Sequence, residues 1–162
     1  MSWINTNGEI ISKISDFPDN TFGFVYRVVH KPTDKTYIGK KVLYYQRKVK
    51  LTQKDLKLYE GVVGRKPSYK FAIKESNWID YWGSNKLLKE VMDLEPIENF
   101  ERHIIKTAPN KKLLTYYETK YQFIYQVLEK PDEFFNDNIL GKFYTKDFED
   151  INYEDPLEIK DC

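Results

Sequence analysis

The clearest pattern of apolar and polar positions lies at residues 23–41. Phe24, Val25, Tyr26, Val28 and Val29 make residues 23–30 rich in β-branched and aromatic side chains, which predicts a strand. Pro32 and Asp34 supply turn chemistry. Thr36, Tyr37 and Ile38 then resume a strand that stops at Gly39. The prediction is a hairpin with Tyr26 near the middle of one strand and Tyr37 on the other. Tyr37 and Gly39 stand two residues apart and so share a face. Gly39 has no side chain, which lets a neighbour approach the backbone closely there.

Further along, the period changes. Residues 42–50 are mixed, with Tyr44, Tyr45 and Arg47 among lysines. Thr52 is a candidate cap for a helix over 53–59. Gly61, Gly64 and Pro67 break the chain, so 62–68 reads as a loop carrying Arg65 and Lys66, followed by a short element at 69–74. Ser84 is placed to cap a helix through Leu87, Leu88, Val91 and Met92. Phe100, Arg102 and Ile104 alternate with Glu101, His103 and Ile105, which predicts a third strand over 99–107. Leu113, Leu114, Tyr117, Tyr121, Ile124 and Leu128 recur at three and four residues, giving the strongest helix, over 111–129. Residues 136–141 form a turn-rich loop. The order β-β-(α)-α-β-α predicts an α+β domain over 23–143, with a small three-stranded, antiparallel-type sheet flanked by helices. An arm at 1–22, with a short helix or strand near 10–14, precedes it. An acidic tail at 144–162 follows.

Composition narrows this picture. A chain of 162 residues with 41% hydrophobic and 16% aromatic content suits one globular domain. Its 13 tyrosines cover a core while keeping hydroxyls wet. A single cysteine, Cys162, allows neither a disulfide within the chain nor a cysteine-based zinc site, and favours a reducing, cytoplasmic compartment. No apolar run reaches membrane-spanning length, and the N-terminus shows no basic, apolar leader. The net charge of +1 conceals segregation: residues 23–75 carry 14 Lys and Arg against 4 Asp and Glu, while residues 131–162 carry 3 against 10. A basic block beside the hairpin is the footprint of a nucleic-acid binder, although most charge runs are simply solvated faces.

Several side chains carry potential chemistry. A tyrosine with a lowered pKa can act as a general base, and Lys40, Lys41 and Arg47 near Tyr26 and Tyr37 would favour the phenolate. The Arg47 guanidinium offers a planar fork to a phosphodiester. Arg65 and Arg102 are rivals for that role, and Arg102, on an alternating strand, equally suits a buried structural pair. Glu118 lies one position from the apolar stripe of its helix, among tyrosines, which is unusual for a solvated glutamate. His30 and His103 stand alone and read as structural. The tryptophans at 78 and 82 read as core.

Phe24-Val25-Tyr26 followed by Tyr37-Ile38-Gly39 resembles the paired signature of the GIY-YIG nuclease superfamily. Within it, residues 23–143 are most similar to the phage Seg-type homing endonucleases. Phe24-Val25 replaces the family's first glycine-isoleucine pair. The resemblance implies that both tripeptides lie on adjacent strands and that Tyr26 deprotonates or orients a water. It implies that Tyr37, Lys40 and Arg47 surround the phosphate, and that Glu118 is the single metal-binding glutamate on the helix after the third strand, taking Mg²⁺ or Mn²⁺. Asn138 matches a late asparagine beside the site, with Asn136 as the alternative. Lys40, Lys41, Arg47, Lys48, Arg65 and Lys66 are the expected contacts to double-stranded DNA. The long interval from Tyr37 to Glu118 implies an insertion around 51–77. The expectation is a metal-dependent, phage-encoded, homing-like DNA endonuclease. The alternatives are a nucleic-acid-binding module of the same fold that does not cut, and an interaction domain with decorative charge.

Overall fold

The computed structural model describes residues 2–61, 63–65 and 67–148. Lys66, Cys162 and most of the acidic tail lie outside the described residues. In chain order the elements are β1 (Trp3–Ile4), β2 (Ile10–Ile11), β3 (Gly23–His30), β4 (Lys35–Val42), β5 (Tyr44–Lys50) and α1 (Gln53–Lys57). They continue with β6 (Tyr69–Glu75), α2 (Lys86–Leu94), β7 (Phe100–Ala108), α3 (Lys111–Ile124), β8 (Asn138–Ile139) and β9 (Phe143–Tyr144).

The three strands read from the sequence form the antiparallel centre, β7-β3-β4. The sheet does not stop there. It has five strands in the order β2-β1-β7-β3-β4, and it is mixed, because β1 runs parallel to β7. The expected three-stranded antiparallel sheet is therefore too small. The cause is Trp3, which is fully buried and stacks edge-on against Phe24 and Tyr26. Its indole N–H donates to the Trp78 carbonyl at 2.9 Å. Burying one large aromatic ring draws the N-terminal segment onto the sheet.

The sheet is covered on both faces. Phe24, Tyr26 and Val28 of β3 point into an aromatic layer with Trp3, Trp78 and Leu88. Val25 and Ile38 point the other way, against Leu114, Val127 and Leu128. Between Val25 and Tyr26 the register with β7 shifts by one, leaving Ile105 as the extra residue of a β-bulge. Each helix starts at a side-chain cap: Asn110 accepts from the Leu113 amide, and Asn85 accepts from the Leu88 amide. The cap of α2 is thus Asn85 and not Ser84. Helix α3 ends at Ile124, earlier than its apolar repeat suggests, and Gln126 turns into the left-handed region at φ 53°.

Two features bear directly on the site. First, β4 is the edge strand, and residues 133–136 run along it. The Thr36 amide donates to the Glu133 carbonyl and the Phe135 amide to the Thr36 carbonyl, both at 2.8 Å. The Asn136 side chain continues the ladder, accepting from the Ile38 amide at 2.9 Å and donating to its carbonyl at 2.8 Å. Second, β5 and β6 leave the main sheet and pair only with each other. This ribbon, with α1 between its strands, covers most of the expected insertion and begins earlier, at Tyr44.

Candidate active site

Successive residues of β4 point to opposite faces, so Tyr37, Gly39 and Lys41 share the aromatic face while Ile38, Lys40 and Val42 face α3. Because β4 is an edge, side chains from both faces reach one cavity beside it, of about 530 Å³. Tyr37, Lys40, Glu118 and Asn138 all line this cavity. Lys40 Nζ donates to Glu118 Oε2 at 2.6 Å and to Thr115 Oγ1 at 3.2 Å. Glu118 keeps 14% of its side-chain surface exposed.

Tyr26 does not line the cavity. It is completely buried behind Tyr37, with ring centroids 6.1 Å apart. Its hydroxyl is hydrogen-bonded to Tyr81, and the Tyr37 hydroxyl to Ser84. Gly39 is what permits this pairing: a Cβ there would lie 2.7 Å from the Tyr26 hydroxyl oxygen and 2.8 Å from Tyr37 Cε1.

The expected lowering of a phenol pKa by lysines is not found. Burial pushes the Tyr26 phenol well above its ordinary value of 10.0, and the neighbouring Tyr37 and Tyr81 rings reinforce it. Burial also raises Tyr37, to about 12, against the hydrogen bond from Ser84, and Glu118 and Asp137 add to the rise. Both side chains therefore work as neutral hydroxyls at physiological pH. The unfolded chain ionises these phenols near pH ~10, whereas the folded chain holds its protons to about pH 12 or beyond. The associated stability is complete below the unfolded pKa and is lost as pH rises through the folded one. An absorbance titration of phenolate should show two of the 13 tyrosines ionising only as the fold melts in alkali. All of them ionising together at about pH 10, with the fold intact, would contradict the burial argument.

The cations are distributed differently from the sequence reading. None of Arg47, Arg65 and Arg102 lines the cavity, and Lys40 and Lys86 are its cations. Arg47 is exposed on β5, opposite Ala72 in the ribbon, with Lys48 next to it, because the ribbon departs from the sheet before either residue. Arg65 is exposed between α1 and β6. Arg102 is buried between the rings of Trp3 and Trp82, and its Nη1 donates to the carbonyls of Ile79 and Tyr81. Lys41 turns away from Lys40: its ammonium lies 3.8 Å from the Tyr81 ring centroid and donates to Asn77 Oδ1 at 2.7 Å. Burial lowers its pKa.

Both candidate asparagines reach the cavity. The Asn136 amide is committed to the Ile38 backbone. Asn138 donates to Asp137 Oδ1 at 2.7 Å and accepts from the Gly141 amide at 3.0 Å. Sequence reasoning missed Asp137, Gln122 and Ser84 as wall residues. Gln122 follows Glu118 at i+4 on α3, a spacing that was available to find it. Nothing local marks Asp137. His30 is structural, as expected: Nδ1 meets Thr33 Oγ1 at 2.8 Å and Nε2 meets Glu95 Oε2 at 2.7 Å.

A family profile described as "Putative endonuclease segE, GIY-YIG domain" matches residues 3–139, most of the chain. The chain belongs to this SegE GIY-YIG domain family. The family's description names an endonuclease, which implies hydrolysis of phosphodiester bonds in nucleic acid. The match begins at Trp3, which agrees with a SegE GIY-YIG domain whose sheet includes β1. No curated protein and no solved structure matches the chain. Among the described residues no helix is long and apolar enough to cross a membrane.

The walls of the cavity suit a hard divalent cation. Glu118 and Asp137 bring carboxylates, and Gln122 and Asn138 bring amide oxygens. Such an ion takes oxygen ligands and keeps several waters, so few protein groups suffice. Among the described residues no three His, Cys, Asp or Glu side chains gather into a cage.

Proposed function

We propose that the protein is a metal-dependent DNA endonuclease of the GIY-YIG type, acting as a phage homing-like enzyme. The observation that carries this reading is the convergence of Tyr37, Lys40 and Glu118 on one open cavity at the sheet edge. A hydroxyl, an ammonium and a carboxylate at one place match the needs of phosphodiester hydrolysis: orient a water, bind phosphoryl oxygens and hold a cation. The neutral Tyr37 hydroxyl, held by Ser84, orients the attacking water or a phosphoryl oxygen. Lys40, one of the two cations in the cavity wall and paired with Glu118, is the positive charge offered to the phosphate. Glu118, with Asp137 in the same wall, would hold Mg²⁺ or Mn²⁺, which when bound neutralises charge on the phosphate and the leaving oxygen. Tyr26 touches none of these atoms; it positions Tyr37 from behind and is not itself the base.

A plasmid-nicking assay with and without Mg²⁺ tests the reading. Wild type nicks duplex DNA only with the metal. Tyr37→Phe lowers the nicking rate by roughly a hundredfold, the size expected when a group in contact with the reacting water is lost. Tyr26→Phe keeps the ring and its packing. Its smaller loss falls on kcat, with KM for DNA unchanged and the same pH profile. Equal losses in both variants, or an altered pH profile in Tyr26→Phe alone, would return Tyr26 to the role of base. No nicking by wild type with several divalent metals, on duplex and branched DNA, would leave the non-cutting binding module as the reading.

A further inference from the structure

The β5–β6 ribbon has an unusual surface. Residues paired across an antiparallel ribbon share a face, so Gln46 and Ile73, Lys48 and Phe71, and Lys50 and Tyr69 lie together on one side. All six are solvent-exposed or nearly so, and Ile73 and Phe71 expose 71% and 55% of their surface. Two strands alone are marginal in water, and a ribbon that bares aliphatic and aromatic side chains is more costly still without a partner. The two strands carry Arg47, Lys48, Lys50, Lys70 and Lys74 against the single carboxylate of Glu75, and Lys70 is ion-paired to Asp55 of α1 at 2.6 Å. The Glu75 carboxylate is already engaged by the Trp78 indole N–H at 2.7 Å. The charge therefore points to a polyanion.

The root of the ribbon is locked to the body. The Leu43 amide donates to the Phe22 carbonyl at 2.9 Å, and the Ser76 amide donates to the Leu43 carbonyl at 2.8 Å. At that root a groove of about 860 Å³ is walled by Val42, Tyr44, Ile73 and Lys111. It shares no wall residue with the active-site cavity, but it lies further along the same strand and the same helix. Val42 follows Lys40 at i+2 on the same face of β4, roughly 7 Å along the strand. On α3, Lys111, Thr115, Glu118 and Gln122 follow one another at four, three and four residues and form one stripe. A strand of nucleic acid seated at Lys40 and Glu118 would thus run past Val42 and Lys111 onto the ribbon.

We propose that the β5–β6 ribbon is a DNA-recognition arm that enters the major groove beside the scissile phosphate. The inference rests on the nuclease reading for its choice of duplex DNA as ligand. A B-form major groove is about 12 Å wide and admits a two-stranded ribbon, whose strands lie about 4.8 Å apart. Lys48 and Lys50 meet the phosphates at the groove wall. Gln46 presents an amide suited to adenine, and Ile73 an apolar contact suited to the thymine methyl. Sequence preference then comes from the insertion, and cleavage from the cavity.

The test is binding of a short duplex without divalent metal, over a range of salt, by wild type, Lys48→Gln/Lys50→Gln and Phe71→Ser/Ile73→Ser. Thermal melting checks that each variant is folded; the substituted side chains are exposed, so the melting point holds. The lysine variant loses affinity, and its slope of log K against log salt falls by roughly 2. The apolar variant keeps the salt slope but loses discrimination between sequences. Methylation of guanine N7, which lies in the major groove, interferes with wild-type binding at positions beside the cut. Unchanged affinity and salt slope in the lysine variant would overturn the arm, as would binding indifferent to N7 methylation; nicking by wild type would leave the nuclease reading standing in that case. Tighter binding to single-stranded RNA than to duplex DNA would also overturn it. Ribbon-dependent duplex binding by a wild type that never nicks would uphold the arm and sink only the nuclease reading.

Discussion

Glu118→Gln lowers cleavage in Mg²⁺ by about a hundredfold or more while duplex binding persists or strengthens. Glutamine keeps the length and shape of the side chain and can still accept a hydrogen bond from Lys40, 2.6 Å away in the native site. What it removes is the charge on which a hard cation depends. A negative charge also leaves the cavity proposed to receive phosphate, so the affinity for DNA is not expected to fall. The effect belongs to the chemical step, and the measurement is nicking rate beside binding affinity for the same duplex. Two competing effects set the size. Freed from Glu118, the Lys40 ammonium binds phosphate better, but a single ammonium cannot replace the cation at both the phosphate and the leaving oxygen. Wild-type nicking by Glu118→Gln would defeat the assignment of this cavity. Loss of DNA binding in step with nicking would instead make Glu118 a structural partner of Lys40.

Gly39→Ala is expected to damage both stability and cleavage. A methyl group at this position meets the Tyr26 hydroxyl oxygen at 2.7 Å, Tyr37 Cε1 at 2.8 Å and Tyr26 Cζ at 2.9 Å. All three distances are shorter than a carbon can tolerate, and Tyr26 is packed on every side and cannot retreat. Overpacking of this kind costs about 1–3 kcal/mol. Tyr37 is the freer of the two rings, because it borders the cavity, so it absorbs most of the displacement. A shift of about 1 Å in a group that orients the attacking water can cost on the order of a hundredfold in rate. Denaturant melts and nicking assays should therefore both report the change. In the double variant Gly39→Ala/Tyr26→Phe the shortest contact is gone, and part of the lost stability returns. A Gly39→Ala protein as stable and active as wild type would show that the tyrosine pair is looser than this packing implies.

Much of this was legible in local pattern. The hairpin of β3 and β4, the alternation of β7 and the apolar stripe of α3 each follow from one period in one segment; β4 nonetheless runs past Gly39 to Val42, and α3 stops at Ile124, short of the predicted 129. Glu118 was legible for the same reason, since an acidic residue beside the apolar stripe of a helix must face the seam between helix and sheet. The arginines were not. The resemblance placed Arg47 beside the phosphate, yet the chain turns away into the ribbon at Tyr44, before Arg47 is reached. Arg102 has the alternation of a core position, and only the rings of Trp3 and Trp82 reveal what holds a buried cation there. Tyr26 and Tyr37 have the same local signal, but one is sealed beneath the other.

The sequence by itself determined the α+β class, the two tyrosines on adjacent strands, the carboxylate on α3 and the basic block between them. These depend on contacts within a few residues or across one turn, where the period of the chain is the whole argument. Tertiary structure alone decided that β4 is an edge strand. Edge position lets Tyr37 and Lys40, on opposite faces, meet in one cavity. It also brings Asp137 and Asn138 there, through the ladder that Asn136 makes with Ile38, 98 residues apart in sequence but joined by hydrogen bonds of 2.8–2.9 Å. Tertiary structure also decided that the phenols are neutral, because their pKa values are set by burial among distant rings and not by the lysines that follow them in the chain.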